Sequence, residues 1–198
     1  MRYLEKDGLE GDGVDTSQWT KDRQDAILWA RDILARSFLL LDTETTGLNT
    51  NTSEIVQIAV ICSHGATILD TLVKPRNAIP KEAIAIHHIT DEMVQQAPSW
   101  AEIFPKLETI LMHQRVVIYN AGYDWPLITS VTARAGLDIL PIIGNVVDCA
   151  MLKYAAYIGE QGYYGDYRWQ RLQGGDHTAK GDCLATLALI KRMAESEF

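Results

Sequence analysis

The sequence predicts an α/β fold built on one mixed sheet, antiparallel over its first three strands and parallel afterwards, flanked by helices. A continuous apolar run at residues 37–41 is typical of a central strand covered on both faces. Two segments rich in β-branched residues, 55–63 and 66–75, are separated only by His64-Gly65, which indicates an antiparallel hairpin. Beyond residue 115, strand-like and helical segments alternate, as they do when parallel strands are connected by helices.

Length and composition suit one globular domain with a single active site. The chain has 198 residues, 47% of them hydrophobic and 22% charged, which is the balance of a folded protein. No run approaches the ~20 consecutive apolar residues of a membrane span, and the N-terminus is acidic where a signal peptide would be basic and then apolar. We therefore expect a cytoplasmic protein with no membrane partner.

The N-terminal region divides into two parts. Residues 1–18 carry few apolar side chains and several Gly and Asp, so we expect a flexible tail. Residues 19–36 are expected to form a helix that braces the main domain, residues 37–198, with Thr20 as its N-cap. Its apolar residues recur at helical spacing: Ile27, Ala30 and Leu34, flanked by Trp29 and Ile33.

The middle of the chain carries clear helix and strand signals. Ser99 and Glu102 have the spacing of a capping box ahead of an apolar helical stretch. Residues 115–120 predict a further buried strand. Residues 121–136 predict a helix with Pro126 in its first turn and Gly136 at its end.

The last third of the chain predicts one more strand and two helices. A short strand runs through Val146-Val147, and a helix follows from Asp148 to about Tyr157. A connection rich in Gly and aromatic residues, 159–176, leads to a final helix from about Thr178 to Glu195.

Charge and cysteine content exclude some functional classes. The formal net charge of −8 argues against a protein that holds duplex DNA through many Lys and Arg contacts to phosphate. It does not exclude an enzyme that holds a strand end through metal ions, since bound divalent cations can reverse the local field. The three cysteines lie far apart and show no CxxC spacing, so neither a disulfide framework nor a zinc cluster is indicated.

Four acidic residues stand at the edges of otherwise apolar elements: Asp42 and Glu44 after the first strand, Asp124 at a helix start, and Asp182 in the last helix. Side chains two apart in a strand point to the same face, so Asp42 and Glu44 can direct two carboxylates at one point. Such close like charges repel unless a cation lies between them, and Mg²⁺ and Mn²⁺ prefer carboxylate oxygen. Each carboxylate alone would more commonly be a cap or a solvated group, but their combination predicts a metal site.

The chain resembles the DEDD superfamily of exonucleases, which includes the epsilon proofreading subunit of bacterial DNA polymerase III. Three family motifs match in order: LDTETTGL at 41–48, YNAGYDWPLI at 119–128 and HTAKGD at 177–182. The resemblance extends from about residue 38 to the C-terminus. His177, five residues before Asp182 and not followed by Tyr, is typical of the histidine-bearing branch, called DEDDh or DnaQ-like. The resemblance implies a ribonuclease H-like fold for residues 37–198.

The resemblance also implies a mechanism, phosphodiester hydrolysis with two Mg²⁺ or Mn²⁺ ions. Asp42, Glu44 and Asp182 would hold the ion on the nucleophile side. Asp42 would also reach the second ion, and Asp124 would act on that ion directly or through water. His177 would remove a proton from the attacking water. Five residues turn a helix through roughly 140°, so His177 and Asp182 cannot share one helical face. We therefore expect His177 in the loop before the last helix, where Gly174-Gly175 would let it move.

The same resemblance implies six contacts to the terminal nucleotide: Thr45, Thr46, Leu48, His87, Asn120 and Tyr123. The family commonly has His-Gly-Ile-Thr where this chain has His87-His88-Ile89-Thr90, so that turn is expected to differ and the role of His87 stays open. In the connection between the last two helices, aromatic and basic residues could stack nucleobases or simply pack on the domain. The sequence leaves both readings open for Tyr163, Tyr164, Tyr167, Trp169, Arg168 and Arg171.

These observations predict a 3′→5′ exonuclease of proofreading type that acts on the 3′ end of single-stranded DNA and releases nucleoside monophosphates. An RNA 3′→5′ exonuclease of the oligoribonuclease or RNase T type is one alternative, since the motifs do not read the 2′-hydroxyl. A non-catalytic strand-end binder is the other. The chain ends at KRMAESEF, soon after the third motif, so we expect no obligatory polymerase partner. The oligomeric state is left open.

Overall fold

The computed structural model describes residues 16–162 and 165–197. Within these ranges one mixed sheet has the strand order β3-β2-β1-β4-β5. The strands β1, β2 and β3 pair antiparallel, whereas β4 pairs parallel with β1, and β5 pairs parallel with β4. The predicted mixed α/β sheet is confirmed. The strands are β1 Leu39–Thr45, β2 Ile55–Cys62, β3 Thr67–Leu72, β4 Val116–Ile118 and β5 Val147–Cys149.

Helices cover both faces of this sheet. In the described ranges they are α1 Thr16–Leu34, α2 Lys81–His87, α3 Asp91–Val94, α4 Trp100–Leu111, α5 Ala121–Arg134, α6 Leu140–Ile143, α7 Ala150–Ile158 and α8 Ala179–Glu195. None of them combines the length and the apolar character needed to cross a membrane. The predicted capping box at the start of α4 is confirmed, with the Ser99 amide donating to the Glu102 carboxylate at 2.8 Å.

The alternation of side chains along β1 builds two hydrophobic cores. Leu39 and Leu41 pack with α4 and α5 on one face, whereas Leu40 packs with α1, α7 and α8 on the other. Burying each such side chain stabilises the fold by about 1.5–3 kcal/mol. The alternation continues into the polar end of the strand. Asp42 therefore follows Leu40 towards α8, and Thr43 follows Leu41 towards α5.

A β-bulge interrupts the pairing of β1 with β2 directly after the acidic residues. Glu44 lies opposite Gln57 and Thr45 opposite Ile55, so the register shifts between Glu44 and Thr45. A bulge bends a strand and turns the following side chains. The strand is therefore bent within the first motif, between Glu44 and Thr45, one residue before it ends.

The N-terminal helix begins earlier than predicted. It starts at Thr16 and ends at Leu34, so Thr20 lies inside the helix and is not its N-cap. A tertiary contact accounts for the extra turn, because the Trp19 indole packs directly on Gly159 at the end of α7. Of the predicted tail, residues 16–18 belong to this helix, and residues 1–15 lie outside the described residues.

Two other features also differ from the prediction. The helix α5 begins at Ala121, as predicted, but this start places Pro126 in its second turn, not its first. Proline there leaves the carbonyl of Gly122 without its helical donor, and Gly122 is exposed, so water can supply one. The last strand extends through Asp148 to Cys149, and α7 starts only at Ala150.

Asp148 accounts for that last difference. Its carboxylate accepts hydrogen bonds from Arg115 Nε at 2.7 Å and from Trp29 Nε1 at 3.0 Å, and its backbone pairs with Val117. These partners hold Asp148 in the sheet. It therefore cannot start a helix.

Candidate active site

Three carboxylates converge at the carboxyl end of β1. Asp42 and Glu44 extend from the strand, and Asp182 extends from the first turn of α8. Each of the three offers an oxygen, and these oxygens lie within 4.8 Å of one another. An all-oxygen set of this kind fits a hard divalent cation such as Mg²⁺ or Mn²⁺.

Asp124 approaches the same site from the other layer of the fold. It lies in the first turn of α5, is only 4% exposed, and accepts a hydrogen bond from Thr43 Oγ1 at 2.6 Å. Asp124 is not one of the three converging carboxylates, but its charge contributes to raising the pKa of both Asp42 and Glu44. Thr43 was not among the predicted site residues. Its position between Asp42 and Glu44 was the signal that the sequence offered.

Burial and mutual repulsion raise the pKa of the four carboxyl groups predicted to bind metal. The pKa of Asp42 is raised well above its ordinary value, first by burial and then by the charges of Asp124, Asp182 and Glu44. The pKa of Glu44 is raised to about 8 by burial and by Asp182 and Asp124. Burial raises the pKa of Asp124 to about 7, although the hydrogen bond from Thr43 opposes it.

The pKa of Asp182 is also raised, mainly by burial. Without a cation, such carboxyl groups retain protons near neutral pH, and a bound divalent ion would displace those protons. The raised pKa values are therefore those expected of carboxylates that bind a metal ion, and the residues present fit a metal centre.

His177 lies in the loop immediately before α8 and is exposed. Its backbone is left-handed, with φ of 58°, which is uncommon for a residue other than glycine. Its amide donates to Asp182 Oδ1 at 3.3 Å, and the amide of Asp176 donates to the same oxygen at 3.0 Å. The loop that carries His177 is therefore attached directly to one of the three converging carboxylates.

Asp176, which was not among the predicted site residues, stabilises this loop. Its Oδ1 accepts hydrogen bonds from the amide of Thr178 at 3.0 Å and from Thr178 Oγ1 at 2.7 Å. The Asp-x-Thr spacing is the turn signal that could have revealed it. A Cβ on Gly181 would overlap the Asp176 carboxylate, so only glycine allows this approach.

Gly175 has a related steric role. A Cβ there would lie 2.6 Å from Asp182 Oδ1. Gly175 therefore lets the loop pack against the carboxylate. Mobility of the Gly174-Gly175 pair stays a prediction.

Thr45 and Tyr123, both predicted to contact the terminal nucleotide, are hydrogen-bonded to each other. Thr45 Oγ1 and Tyr123 OH are 2.8 Å apart, and the carbonyl oxygen of Gly47 lies within hydrogen-bond distance of both, 3.0 Å from Thr45 Oγ1. Because each hydroxyl has a single proton, one hydroxyl donates to the other, which donates to Gly47. Thr46 Oγ1 accepts a hydrogen bond from the amide of Glu54 at 2.9 Å. Leu48 extends beyond this turn and is 89% exposed. The end of β1 thus forms a fixed turn with one large apolar side chain facing solvent.

Asn120 and His87 lie at helix ends. Asn120 is the N-cap of α5, and its carbonyl accepts from the amides of Tyr123 and Asp124. His87 is only 5% exposed, and its Nδ1 accepts from the amide of Ile89 at 3.0 Å. Among the described residues its Nε2 has no hydrogen-bond partner, and burial lowers its pKa. The next residue, His88, has φ of 60°, so the turn is kept even though His replaces the usual Gly.

A protein family with these motifs matches most of the chain. The family model described as exonuclease, RNase T, matches residues 39–190. The chain belongs to this family. It is therefore a DnaQ-like exonuclease and a phosphodiester hydrolase, as the three motifs predicted. Such a family implies divalent metal ions, in agreement with the carboxylates of Asp42, Glu44 and Asp182.

Relatives of known sequence support the assignment. An uncharacterized exonuclease, CP81, of Escherichia phage 186 is 40% identical over 171 residues, which is 79% of this chain and 88% of that protein. A DNA polymerase III subunit epsilon-like protein of Rhodobacter capsulatus is 32% identical over 168 residues. That match covers 79% of this chain but only 23% of the Rhodobacter protein.

Solved structures match the fold. Exonuclease I of E. coli in complex with a dT13 oligonucleotide superposes with a TM-score of 0.67 and 19% identity, over 80% of this chain. This chain spans 41% of that protein. At this identity the similarity establishes the fold alone, and it agrees with the predicted ribonuclease H-like sheet.

Proposed function

We propose that the protein is a metal-dependent 3′→5′ exonuclease that removes nucleoside monophosphates from the 3′ end of single-stranded DNA. The observation that carries the proposal is the convergence of Asp42, Glu44 and Asp182 within 4.8 Å beside the loop of His177. DNA is favoured over RNA because the related proteins include DNA polymerase III epsilon subunits and because Exonuclease I binds a dT13 oligonucleotide.

The proposed roles follow from chemistry and position. Asp42, Glu44 and Asp182 would hold a divalent ion, and Asp42 with Asp124 would hold a second. Two ions bound there would promote deprotonation of the attacking water and neutralise charge on the phosphate. His177 would accept the proton of that water. Thr43, through its hydrogen bond to Asp124, would fix the orientation of that carboxylate.

The terminal nucleotide would lie against the turn that follows β1. Thr45, Thr46 and Leu48 belong to this turn, and Tyr123 is bonded to it. The exposed Leu48 offers apolar surface to a base or sugar. Asn120 and the unpaired Nε2 of His87 offer polar atoms. Contacts of this kind tolerate any base, as an exonuclease requires.

The decisive test is a nuclease assay. Purified protein with Mg²⁺ or Mn²⁺ and a 5′-labelled single-stranded oligonucleotide should produce a ladder shortened by one nucleotide at a time from the 3′ end. Asp42→Asn and Asp182→Asn should abolish cleavage, whereas His64→Ala, an exposed change in the β2–β3 turn, should leave it intact. Absence of cleavage with either metal overturns the proposal, and strand binding without cleavage would indicate a strand-end binder.

Matched DNA and RNA oligonucleotides define the substrate. Each is given alone and then as a competitor of the other, and kcat/KM is compared. A higher kcat/KM for DNA is expected. A higher kcat/KM for RNA would replace the DNA exonuclease with an RNA exonuclease of the same chemistry.

A further inference from the structure

The segment that joins α7 to α8 presents one tryptophan to solvent. We call residues 165–173 the arm. Trp169, in the middle of the arm, is 64% exposed, although tryptophan side chains are usually largely buried. Its neighbours behave differently. Tyr167 OH donates to Asp22 Oδ2 at 2.7 Å, and Arg168 pairs with Glu160 at 2.7 Å. Of the two alternatives left open by the sequence, packing on the domain therefore describes Tyr167. Arg168 is held in an exposed ion pair, and Trp169 extends into solvent. Tyr163 and Tyr164 lie outside the described residues.

The backbone around Trp169 is held at several points. The amide of Arg168 donates to the carbonyl of Glu160 at 2.7 Å, and Gln170 Nε2 donates to the carboxylate of Glu160 at 3.0 Å. On the far side, Leu172 packs against the core between the sheet and α8. The exposed indole is thus carried by an anchored backbone, so little conformational entropy is lost when a ligand orders it.

The arm contacts the chain next to the active site. Tyr119 OH donates to the carbonyl of Gln170 at 2.7 Å, and Tyr119 immediately precedes Asn120, the N-cap of the helix that carries Asp124. A few residues later the same chain reaches Asp176, whose amide donates to Asp182. Trp169 therefore immediately precedes Gln170, which contacts Tyr119 of the second motif. The chain then continues from Trp169 to the third motif, which begins at His177.

The charge of the protein limits how it can hold a nucleic acid. It has 26 acidic and 18 basic residues, and the site itself is made of carboxylates. Neutralising many phosphates with Lys and Arg is therefore a poor source of affinity for this chain. Stacking of a base on an aromatic ring does not depend on net charge and tolerates any base.

We propose that Trp169 is a stacking platform for a nucleobase of the single strand, upstream of the nucleotide that is removed. This inference rests on the proposed function and extends it by assigning a binding site for the strand outside the metal centre. Arg171, which is also exposed, lies next to this platform on the arm.

Two substrates and three variants test the platform. The substrates are a single-stranded DNA oligonucleotide and the p-nitrophenyl ester of thymidine 5′-phosphate, which has no upstream bases. Trp169→Ala should raise KM for the oligonucleotide by about 5- to 100-fold, with kcat changed by less than about twofold, and leave hydrolysis of the ester unchanged. Trp169→Phe should recover most of the lost affinity. Leu140→Ala, which removes a similarly exposed apolar side chain from α6, should have no effect.

The outcomes separate the platform from the proposed function. If the wild type hydrolyses both substrates and Trp169→Ala leaves the oligonucleotide KM unchanged, Trp169 is not a stacking platform, whereas the proposed exonuclease activity is supported. An equal loss on both substrates would assign Trp169 a structural role and also overturn the platform. If the wild type hydrolyses neither substrate, the proposed function fails, and the platform is then judged by anisotropy with a labelled oligonucleotide. A Kd that Trp169→Ala does not raise overturns it.

Discussion

His177 combines a reactive side chain with an uncommon backbone. Its φ of 58° lies in the left-handed region, which Asn and Gly tolerate better than Ala. A test of its chemistry therefore has to preserve the backbone. His113, at the end of α4, is also exposed and has φ of 60°, which makes it a matched control.

Replacing His177 with Asn should lower kcat by about 10²- to 10⁴-fold, because the group that accepts the proton of the attacking water is lost. The melting temperature and the Mn²⁺ affinity should change little, since the side chain is exposed and the backbone conformation is retained. His113→Asn should leave all three quantities unchanged. A His177→Asn variant with full kcat would show that another group removes the proton.

The left-handed backbone of His88 leads to a prediction about stability. It ends α2 with φ of 60°, at the position where the family commonly has glycine. His88→Gly should relieve the left-handed strain and raise the free energy of unfolding by about 1 kcal/mol, measured by urea denaturation. His64→Gly is the control, because His64 is not among the left-handed residues and should lose stability or stay neutral. Equal effects of the two changes would contradict the strain argument.

At this scale the sequence predicted the residues whose position depends on local geometry. The period of two in a strand puts Asp42 and Glu44 together, and the helical turn angle excludes His177 from the face of Asp182. Contacts made through space could not be predicted in this way. The hydrogen bond from Thr43 to Asp124 joins residues 81 positions apart, and no local pattern encodes it.

The helix α1 is an element that the matched family region, residues 39–190, does not include. It packs in the core with α7 and α8 through Ala26, Trp29, Ala30 and Ile33. Its first turns contact Gly159, where a Cβ would overlap the Trp19 ring. Asp22 of the same helix accepts the hydrogen bond from Tyr167. The helix therefore supports the arm as well as the core.

Gly159→Ala tests the docking of α1. Gly159 and Gly136 both have left-handed backbones, with φ of 75° and 72°, but a Cβ on Gly136 would meet no atom within 4 Å. Gly136→Ala should therefore cost only backbone strain, about 1 kcal/mol. Gly159→Ala should cost about 1–3 kcal/mol more, because Trp19 must be displaced. Thermal or urea unfolding measures both variants, and equal losses would mean that Trp19 does not pack on Gly159.

Boundaries of elements were the least predictable feature at this scale. The sequence predicts that a helix begins at Asp148, but hydrogen bonds from Arg115 and Trp29 hold Asp148 in β5. Helix α5 begins at Ala121, as predicted, so the error there was only in the turn assigned to Pro126. For Asp148, the strand and the helix were both predicted, and the boundary between them was set by partners distant in sequence.

The site of the whole molecule lies where two parallel neighbours, β1 and β4, end side by side. The last residues of β1, Asp42 to Thr45, carry two of the carboxylates, and the residues that follow β4, Asn120 to Asp124, carry a third. Loops at the carboxyl ends of adjacent parallel strands are common ligand sites in α/β folds. The alternation of strand and helix signals predicted the parallel part of this sheet, whereas the site itself was predicted from the acidic residues at the edges of apolar elements.

The raised carboxyl pKa values give the protein an unusual dependence of stability on pH. In the folded state the pKa is about 8 for Glu44 and about 7 for Asp124, against ordinary values of 4.5 and 3.8. Between the ordinary and the raised values the folded chain binds more protons than the unfolded chain. The free energy of unfolding must therefore fall as pH rises through this window.

In EDTA, the melting temperature should consequently decrease between about pH 5 and pH 8, the reverse of the trend for a carboxylate stabilised by an ion pair. Mg²⁺ or Mn²⁺ should oppose the decrease, because the deprotonated carboxylates bind the ion and each proton lost strengthens binding as pH rises. Calorimetry across this range, with and without Mn²⁺, measures both effects. A Glu44→Gln variant should show a weaker decrease in EDTA and a smaller gain from Mn²⁺. A melting temperature that rises steadily to pH 8 in EDTA would contradict the crowding of unpaired carboxyl groups at this site.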